Sequence, residues 1–318
     1  MMQAQKRWLP LALLLMGQIA AANPGGSIVV DAAGNVFYTT TAGVWKQAGT
    51  RGAPQLVGPG LHVHHLLVDS TGTLTGDHLW YTDARKRVPA GHYNWQYTAG
   101  AGIVRITDSI TGIPREQSLI RDAAGNRFAI EFGIPSIIWQ TDKNGNLTPL
   151  AQLSFAGLGT LHVTAKGVLL FANRDDVYAL LPGDIPEKIA GAIGASNPVN
   201  GDSSGKILQL WTDNRRNIYV ATGTVVKKID HRRFVTSIYK SAPGWYPAAG
   251  YVSNIGDFWV LEYNAKNEAR LQQIPMEVRQ KIATESRSKM FGMLLLILAA
   301  VILLLYLLFR RKRSAGNF

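Results

Sequence analysis

Apolar and polar residues alternate over short runs along this chain, and one phrase keeps interrupting them. It reads VVDAAGNVFY at Asp31, LVDSTGTL at Asp69, IRDAAGNRFAI at Asp122, VTAKGVLLF at Thr164, WTDNRRNIYV at Asp213 and YVSNIGDFWV at Ser253. Period-two alternation of β-branched and aromatic residues around a Gly/Asn/Asp cluster predicts a β-hairpin at each place. The Asp side chain can cap its own turn, and the Gly-Asn that follows supplies the positive φ of a tight hairpin. A second hairpin follows in IIWQTDKNGNLTPLA (Ile137 to Ala151) and VVKKIDHRRFVTSIY (Val225 to Tyr239). Two hairpins make one four-stranded antiparallel sheet.

The turn positions are separated by 38, 53, 42, 49 and 40 residues. A recurrence near 44 residues marks a propeller or a solenoid. Stacking four-stranded units in a ring buries their faces and leaves only short edges exposed. The expected fold is therefore all-β, a six-bladed β-propeller of four-stranded antiparallel blades over residues 23–274. An open sandwich of hairpins is the competing architecture. Helical periodicity begins only near Met276.

Two apolar runs break the alternation. The first, Leu9 to Ala20, follows Lys6 and Arg7 and precedes Ala20 and Ala22 in an A-x-A pattern, so residues 1–22 read as a signal peptide. The second, Met290 to Phe309, is uncharged and followed by Arg310, Arg311, Lys312 and Arg313. A run of that length predicts a single C-terminal transmembrane helix (290–309), with 275–289 as a juxtamembrane tether and 310–318 as a basic cytoplasmic tail. Together these place the chain as a single-pass protein of a bacterial inner membrane, its propeller in the periplasm or extracellular space. A removable sorting tail is the alternative, but no LPxTG-like or Pro-Glu-Pro motif precedes the run.

Charge and cysteine content then change little. The formal net charge is +12, but Lys6, Arg7 and the four tail cations are topology signals; without them 27 basic residues face 21 acidic ones. An exported domain meets no DNA, so no nucleic-acid partner is expected. The absence of cysteine leaves the body to be stabilised by its own core, as suits a large β-fold in a bacterial envelope.

The phrase D-x-x-G-N-x-Y-V, with the V-x-K-x-D hairpin at Val225 to Asp230, resembles the NHL repeat of six-bladed propellers. The likeness covers about residues 25–274 and is specific in the first, third and fifth units. Thr164 and Ser253 stand in place of the Asp, and Arg216 in place of the turn Gly. The resemblance implies two kinds of enzyme, metal-dependent lactonases resembling gluconolactonase and an NHL-related lyase. The lactonases bind their cation with Glu, Asn and Asp from several blades, and the lyase uses histidines from separate blades. Neither set can be carried onto this chain residue by residue, because its histidines cluster in one unit and His162 and His231 occupy unlike positions.

That cluster is the candidate chemistry. His62, His64, His65, His78 and His92 put five of seven histidines into 31 residues, among Asp69, Asp77 and Asp83. On a strand His62 and His64 share a face, so His62, His64, Asp77 and His78 form a possible site for a divalent metal ion. Partly buried structural histidines are the plainer account, since no HExxH spacing is present. A long loop is expected from Trp80 to about Gly102, and its His92, Tyr93 and Trp95 join His62, His64, His65, Asp77 and His78 as candidate binding residues. Two functions stay open. One is a binding or scaffolding module for an envelope protein or glycan. The other is a metal-dependent, lactonase-like hydrolase or lyase with its site at the propeller opening.

Overall fold

In a computed structural model the described residues are 27–49, 52–59, 65–68, 73–83, 88–98, 102–109, 116–131, 133–154, 158–181, 183–193, 207–253, 256–275, 279, 284, 288, 291–293 and 295–303. For 77–83, 88–96, 98, 102–109 and 116–119 the description is of the backbone. The signal-peptide segment, His62, His64, Asp69 and the basic tail lie outside the described residues.

The strands form six antiparallel sheets in chain order. The first holds β1 (Ile28–Val30), β2 (Asn35–Thr40), β3 (Gly43–Ala48) and β4 (Gln55–Pro59). The second holds β5 (His65–Val68), β6 (Leu74–Asp83), β7 (Val88–Thr98) and β8 (Gly102–Ser109), and the third β9 (Glu116–Arg121), β10 (Arg127–Glu131), β11 (Ser136–Thr141) and β12 (Leu147–Leu153). The fourth holds β13 (Thr160–Val163), β14 (Leu169–Ala172), β15 (Val177–Leu180) and β16 (Glu187–Ala190), and the fifth β17 (Ile207–Thr212), β18 (Ile218–Thr222), β19 (Val225–Ile229) and β20 (Val235–Lys240). Among the described residues the sixth has three strands where four were expected: β21 (Trp245–Val252), β22 (Phe258–Asn264) and β23 (Ala269–Ile274).

The first strand of each sheet touches the first strand of the next, and β21 touches β1, so these strands form a closed cycle. The core lies between sheets, as facing apolar surfaces require. Phe37, Val44, Leu66 and Leu74 fill the gap between the first two sheets. Ile130, Ile138, Leu161 and Phe171 fill that between the third and fourth, and Leu170, Ile207 and Val220 the next. Val226, Phe258 and Val260 join the fifth to the sixth, and Leu261, Tyr263, Val36 and Tyr38 the sixth to the first.

The recurring phrase folds as one repeated device. Asp31 Oδ1 accepts the Asn35 backbone N–H at 2.8 Å and Oδ2 the Asn35 side-chain amide at 2.7 Å, while Gly34 N–H donates to the Asp31 carbonyl at 3.0 Å. Asp122 with Asn126, Asp142 with Asn146 and Asp213 with Asn217 repeat it. Thr164 and Ser253 keep it with their hydroxyls, which accept from Val168 N–H at 3.1 Å and Asp257 N–H at 2.9 Å. Gly34 and Gly125 take φ of 80° and 88°, a left-handed geometry that costs glycine nothing. The Asn does not share it, so this is a five-residue turn and not a two-residue hairpin. Arg216 occupies the glycine position at φ 65°.

Two expectations are corrected. The long loop from Trp80 is mostly strand: β6, β7 and β8 extend the second sheet, with His78 paired to Tyr93 and Gly76 to Trp95. The alternation His-Tyr-Asn-Trp-Gln-Tyr-Thr (92–98) has the period of a strand, and pairing satisfies the backbone that a loop would leave to water. The single-pass inner-membrane placement is overturned as well. Among the described residues no helix is long and apolar enough to cross a membrane. The helical residues described there are 291–293 and 295–303.

Between the last strand and that helix, Arg279 returns to the sheets. Its Nη2 donates to the Gly256 carbonyl at 2.6 Å, and its guanidinium lies 5.3 Å from the centre of the Phe258 ring.

Candidate functional site

The inner strands share a register. Counting back four residues from each turn residue (Asp31, Asp69, Asp122, Thr164, Asp213 and Ser253) gives Ser27, His65, Ser118, Thr160, Gln209 and Ala249. Five of these six are polar. The residues that follow Ser27, His65, Thr160 and Gln209 are Ile28, Leu66, Leu161 and Leu210, all buried. Period-two geometry sends those four into the core and turns their polar neighbours the other way.

Hydrogen bonds then tie one sheet to the next along this level. Leu66 N–H donates to Ser27 Oγ at 2.9 Å, linking the second sheet to the first. The Thr160 hydroxyl donates to Gln209 Oε1, linking the fourth to the fifth. Two residues on, His162 Nε2 lies 3.0 Å from Thr212 Oγ1 across the same gap. His162 on β13 and His65 on β5 belong to sheets two places apart, yet the His65 charge is felt at His162. Burial, and secondarily that charge, pull the His162 pKa down to about 4. A buried imidazole loses more than it gains by taking a proton, so His162 is neutral at physiological pH.

The expected site residues fall as follows. His65 is half-buried on β5, and its backbone partner is Asp77. Asp77 pairs in turn with Asn94, and Asn94 with Thr107, so one cross-strand row holds His65, Asp77, Asn94 and Thr107. His78, next to Asp77, belongs to the following row with Tyr93. His92 pairs with Leu79 and Trp95 with Gly76. His62 and His64 are outside the described residues.

His162, Thr160, Gln209 and Thr212 were missed by the sequence reading. The constant offset of four residues from the turn was the available signal, hidden because the residues sharing it differ in chemistry.

A divalent cation does not fit the described donors of this level. They are two imidazoles, hydroxyls and one amide. A catalytic zinc site takes three protein ligands, and calcium takes a shell of oxygens rich in carboxylates. Among the described residues no group of three or more His, Cys, Asp or Glu converges.

A separate polar network stabilises the sixth sheet. Glu262, fully buried on β22, accepts from Arg270 Nε at 2.6 Å and from the Tyr239 hydroxyl at 2.8 Å. Arg270 lies 4.0 Å over the Trp245 ring. Burial, and then the bond to Glu262, push the Tyr239 phenol well above its usual range.

No protein-family model matches the chain, and no curated protein matches it. Solved structures resemble it at low identity. A gluconolactonase from Xanthomonas campestris aligns with a TM-score of 0.52 at 11% identity, over 76% of this chain and 82% of that one. A calcium-binding protein, regucalcin, from Agrobacterium tumefaciens aligns at 0.51 and 12%, over 74% and 81%. Virginiamycin B lyase from Staphylococcus aureus aligns at 0.47 and 13%, over 80% and 86%. The first two show the fold: mostly β, several four-stranded antiparallel sheets, propeller-like.

Proposed function

We propose that the chain is an NHL-like six-bladed β-propeller that acts as a hydrolase or lyase on a small cyclic ester, bound at the ring opening. The carrying observation is His162, a neutral imidazole at the inner strands, bonded to Thr212 and within electrostatic reach of His65. A neutral imidazole can take a proton from an attacking water or from a carbon acid. Its conjugate acid, with a pKa of about 4, hands that proton on readily to a departing alkoxide. In this reading Gln209, whose Oε1 accepts from the Thr160 hydroxyl, holds a hydroxyl or the carbonyl of a small substrate, and Thr212 orients the imidazole. The lactone class is suggested by the gluconolactonase that shares the fold.

The test is turnover of a panel of lactones by the full-length chain and by His162→Asn. The expected outcome is hydrolysis or ring-opening elimination of at least one member, lowered about 100-fold or more in the variant. Equal rates for the two proteins overturn the reading.

A second reading, a binding or scaffolding module for a protein or glycan, is favoured by one observation. Two turns of the fifth sheet present exposed arginines to solvent, and among the described residues Arg215, Arg216 and Arg232 make no side-chain hydrogen bond or ion pair.

A further inference from the structure

The fourth and fifth sheets end in a surface whose composition local folding does not explain. In an antiparallel meander the first and third turns emerge at the same end of the sheet. In the fifth sheet these are Asp213-Asn214-Arg215-Arg216-Asn217 and Asp230-His231-Arg232-Arg233-Phe234, whose centres lie roughly 10 Å apart at two strand spacings. Each carries two consecutive arginines, all exposed.

The backbone disfavours this arrangement. Arg216 and Arg233 take φ of 65° and 66°, where the corresponding turn positions at 34, 125, 145 and 167 hold glycine. Left-handed geometry is costly for a residue with a Cβ. Arg233 has a visible use, since its guanidinium pairs with Glu187 and reaches the Lys188 carbonyl on β16. Among the described residues Arg215, Arg216 and Arg232 have no side-chain partner. The acids nearest in sequence are committed elsewhere. Asp213 accepts from Arg215 N–H, Asn217 N–H, the Asn217 amide and the Tyr219 hydroxyl. Asp230 accepts from the Arg232 and Phe234 backbone.

Apolar side chains flank the arginines. Phe234 is 62% exposed, and on the neighbouring turn of the fourth sheet, which the Arg233–Glu187 pair brings alongside, Leu181 is 50% and Ile185 87% exposed. Guanidinium forks take carboxylates in pairs, and a mix of arginine, aromatic and aliphatic side chains is the composition of a protein-binding surface.

We propose that the turn ends at Arg215, Arg216 and Arg232, with Phe234, Leu181 and Ile185, dock an acidic protein segment bearing apolar side chains. Carboxylates would sit on the guanidiniums of Arg215, Arg216 and Arg232, and the apolar side chains against Phe234 and Ile185. The aliphatic flank favours a polypeptide over a sugar chain, and the surface stands whether or not the ring opening turns over a substrate.

Fluorescence anisotropy of the full-length chain with a short labelled Glu/Leu peptide, compared with its Gln/Leu and Glu/Ser counterparts, tests this. The Glu/Leu peptide is expected to bind best, with affinity falling as salt rises. Arg215→Ala/Arg216→Ala/Arg232→Ala should weaken it about tenfold, and Arg85→Ala/Lys86→Ala/Arg87→Ala, which removes equal charge elsewhere, by less than about twofold. Arg216→Gly, which relieves the backbone and so keeps the fold, should also weaken binding. Equal loss from both triple variants, no loss with Arg216→Gly, equal binding of the Gln/Leu peptide, or tighter binding of heparin or of phosphatidylglycerol vesicles than of the peptide would each overturn it.

Discussion

The Tyr263 hydroxyl, in the sixth sheet, donates to the Thr39 carbonyl in the first at 2.8 Å, across 224 residues of sequence. Both residues are buried, and burial raises the Tyr263 phenol far above its usual range, so it stays a donor at every ordinary pH. Tyr263→Phe removes this hydrogen bond and little else. A loss of about 1–2 kcal/mol is expected by urea unfolding, with an unchanged far-ultraviolet spectrum.

The buried Glu262 makes a sharper prediction. Glu262→Ala leaves the Arg270 guanidinium without its carboxylate and should cost about 3–5 kcal/mol. Glu262→Leu combined with Arg270→Met should recover most of that, because no lone charge then remains. A double variant no more stable than Glu262→Ala would show that the Tyr239 bond, and not the ion pair, carries the effect.

Gly250 on β21 faces the Trp211 indole so closely that a methyl group there would overlap the ring. Trp211 also packs with Tyr219 and Phe258, at 6.0 and 6.4 Å between ring centres. Gly250→Ala must push the indole out of this cluster, at a cost of about 1–3 kcal/mol. Tryptophan fluorescence and the melting temperature report it together.

Acid should weaken the fold through His162. Its folded pKa of about 4 lies below the unfolded value of 6.5, so the unfolded chain binds the proton first. The contribution is intact above about pH 6.5 and is lost as pH falls toward about 4, amounting to as much as about 3 kcal/mol. In His162→Gln the slope of stability against pH over this window should flatten. An unchanged slope would mean that other groups set it.

Arg216→Gly places the residue best suited to φ 65° where arginine now stands. It should raise stability by about 1 kcal/mol, read as a higher denaturation midpoint. The corresponding change at the Arg233 position should gain less, because it also breaks the pair with Glu187.

The turn chemistry was legible because it is local. Asp31 and Asn35 meet within five residues; the same five recur at Asp122, and the turn at Asp142 keeps the Asp, the Gly and the Asn. Sheet spacing followed from counting those turns. The axial level was harder, because Ser27, His65, Thr160 and Gln209 share a position but no side-chain type, and what joins His65 to His162 is the curvature of the whole assembly. Sequence proximity pointed instead to Asp77 and His78, which the register assigns to successive rows. The stretch after Trp80 misled for a related reason. The 53-residue step between Asp69 and Asp122, the longest of the five, suggested an inserted loop, while the alternation from His92 to Thr98 already had the two-residue period of the strand it forms.

Arg279 sits on Phe258, and Phe258 is the ladder partner of Ile274, the last residue of the edge strand β23. A pull on the segment beyond Ile274 therefore reaches the guanidinium before it reaches the strand. The load is taken sideways, by the aromatic ring and the Gly256 carbonyl, instead of unzipping β23 one hydrogen bond at a time.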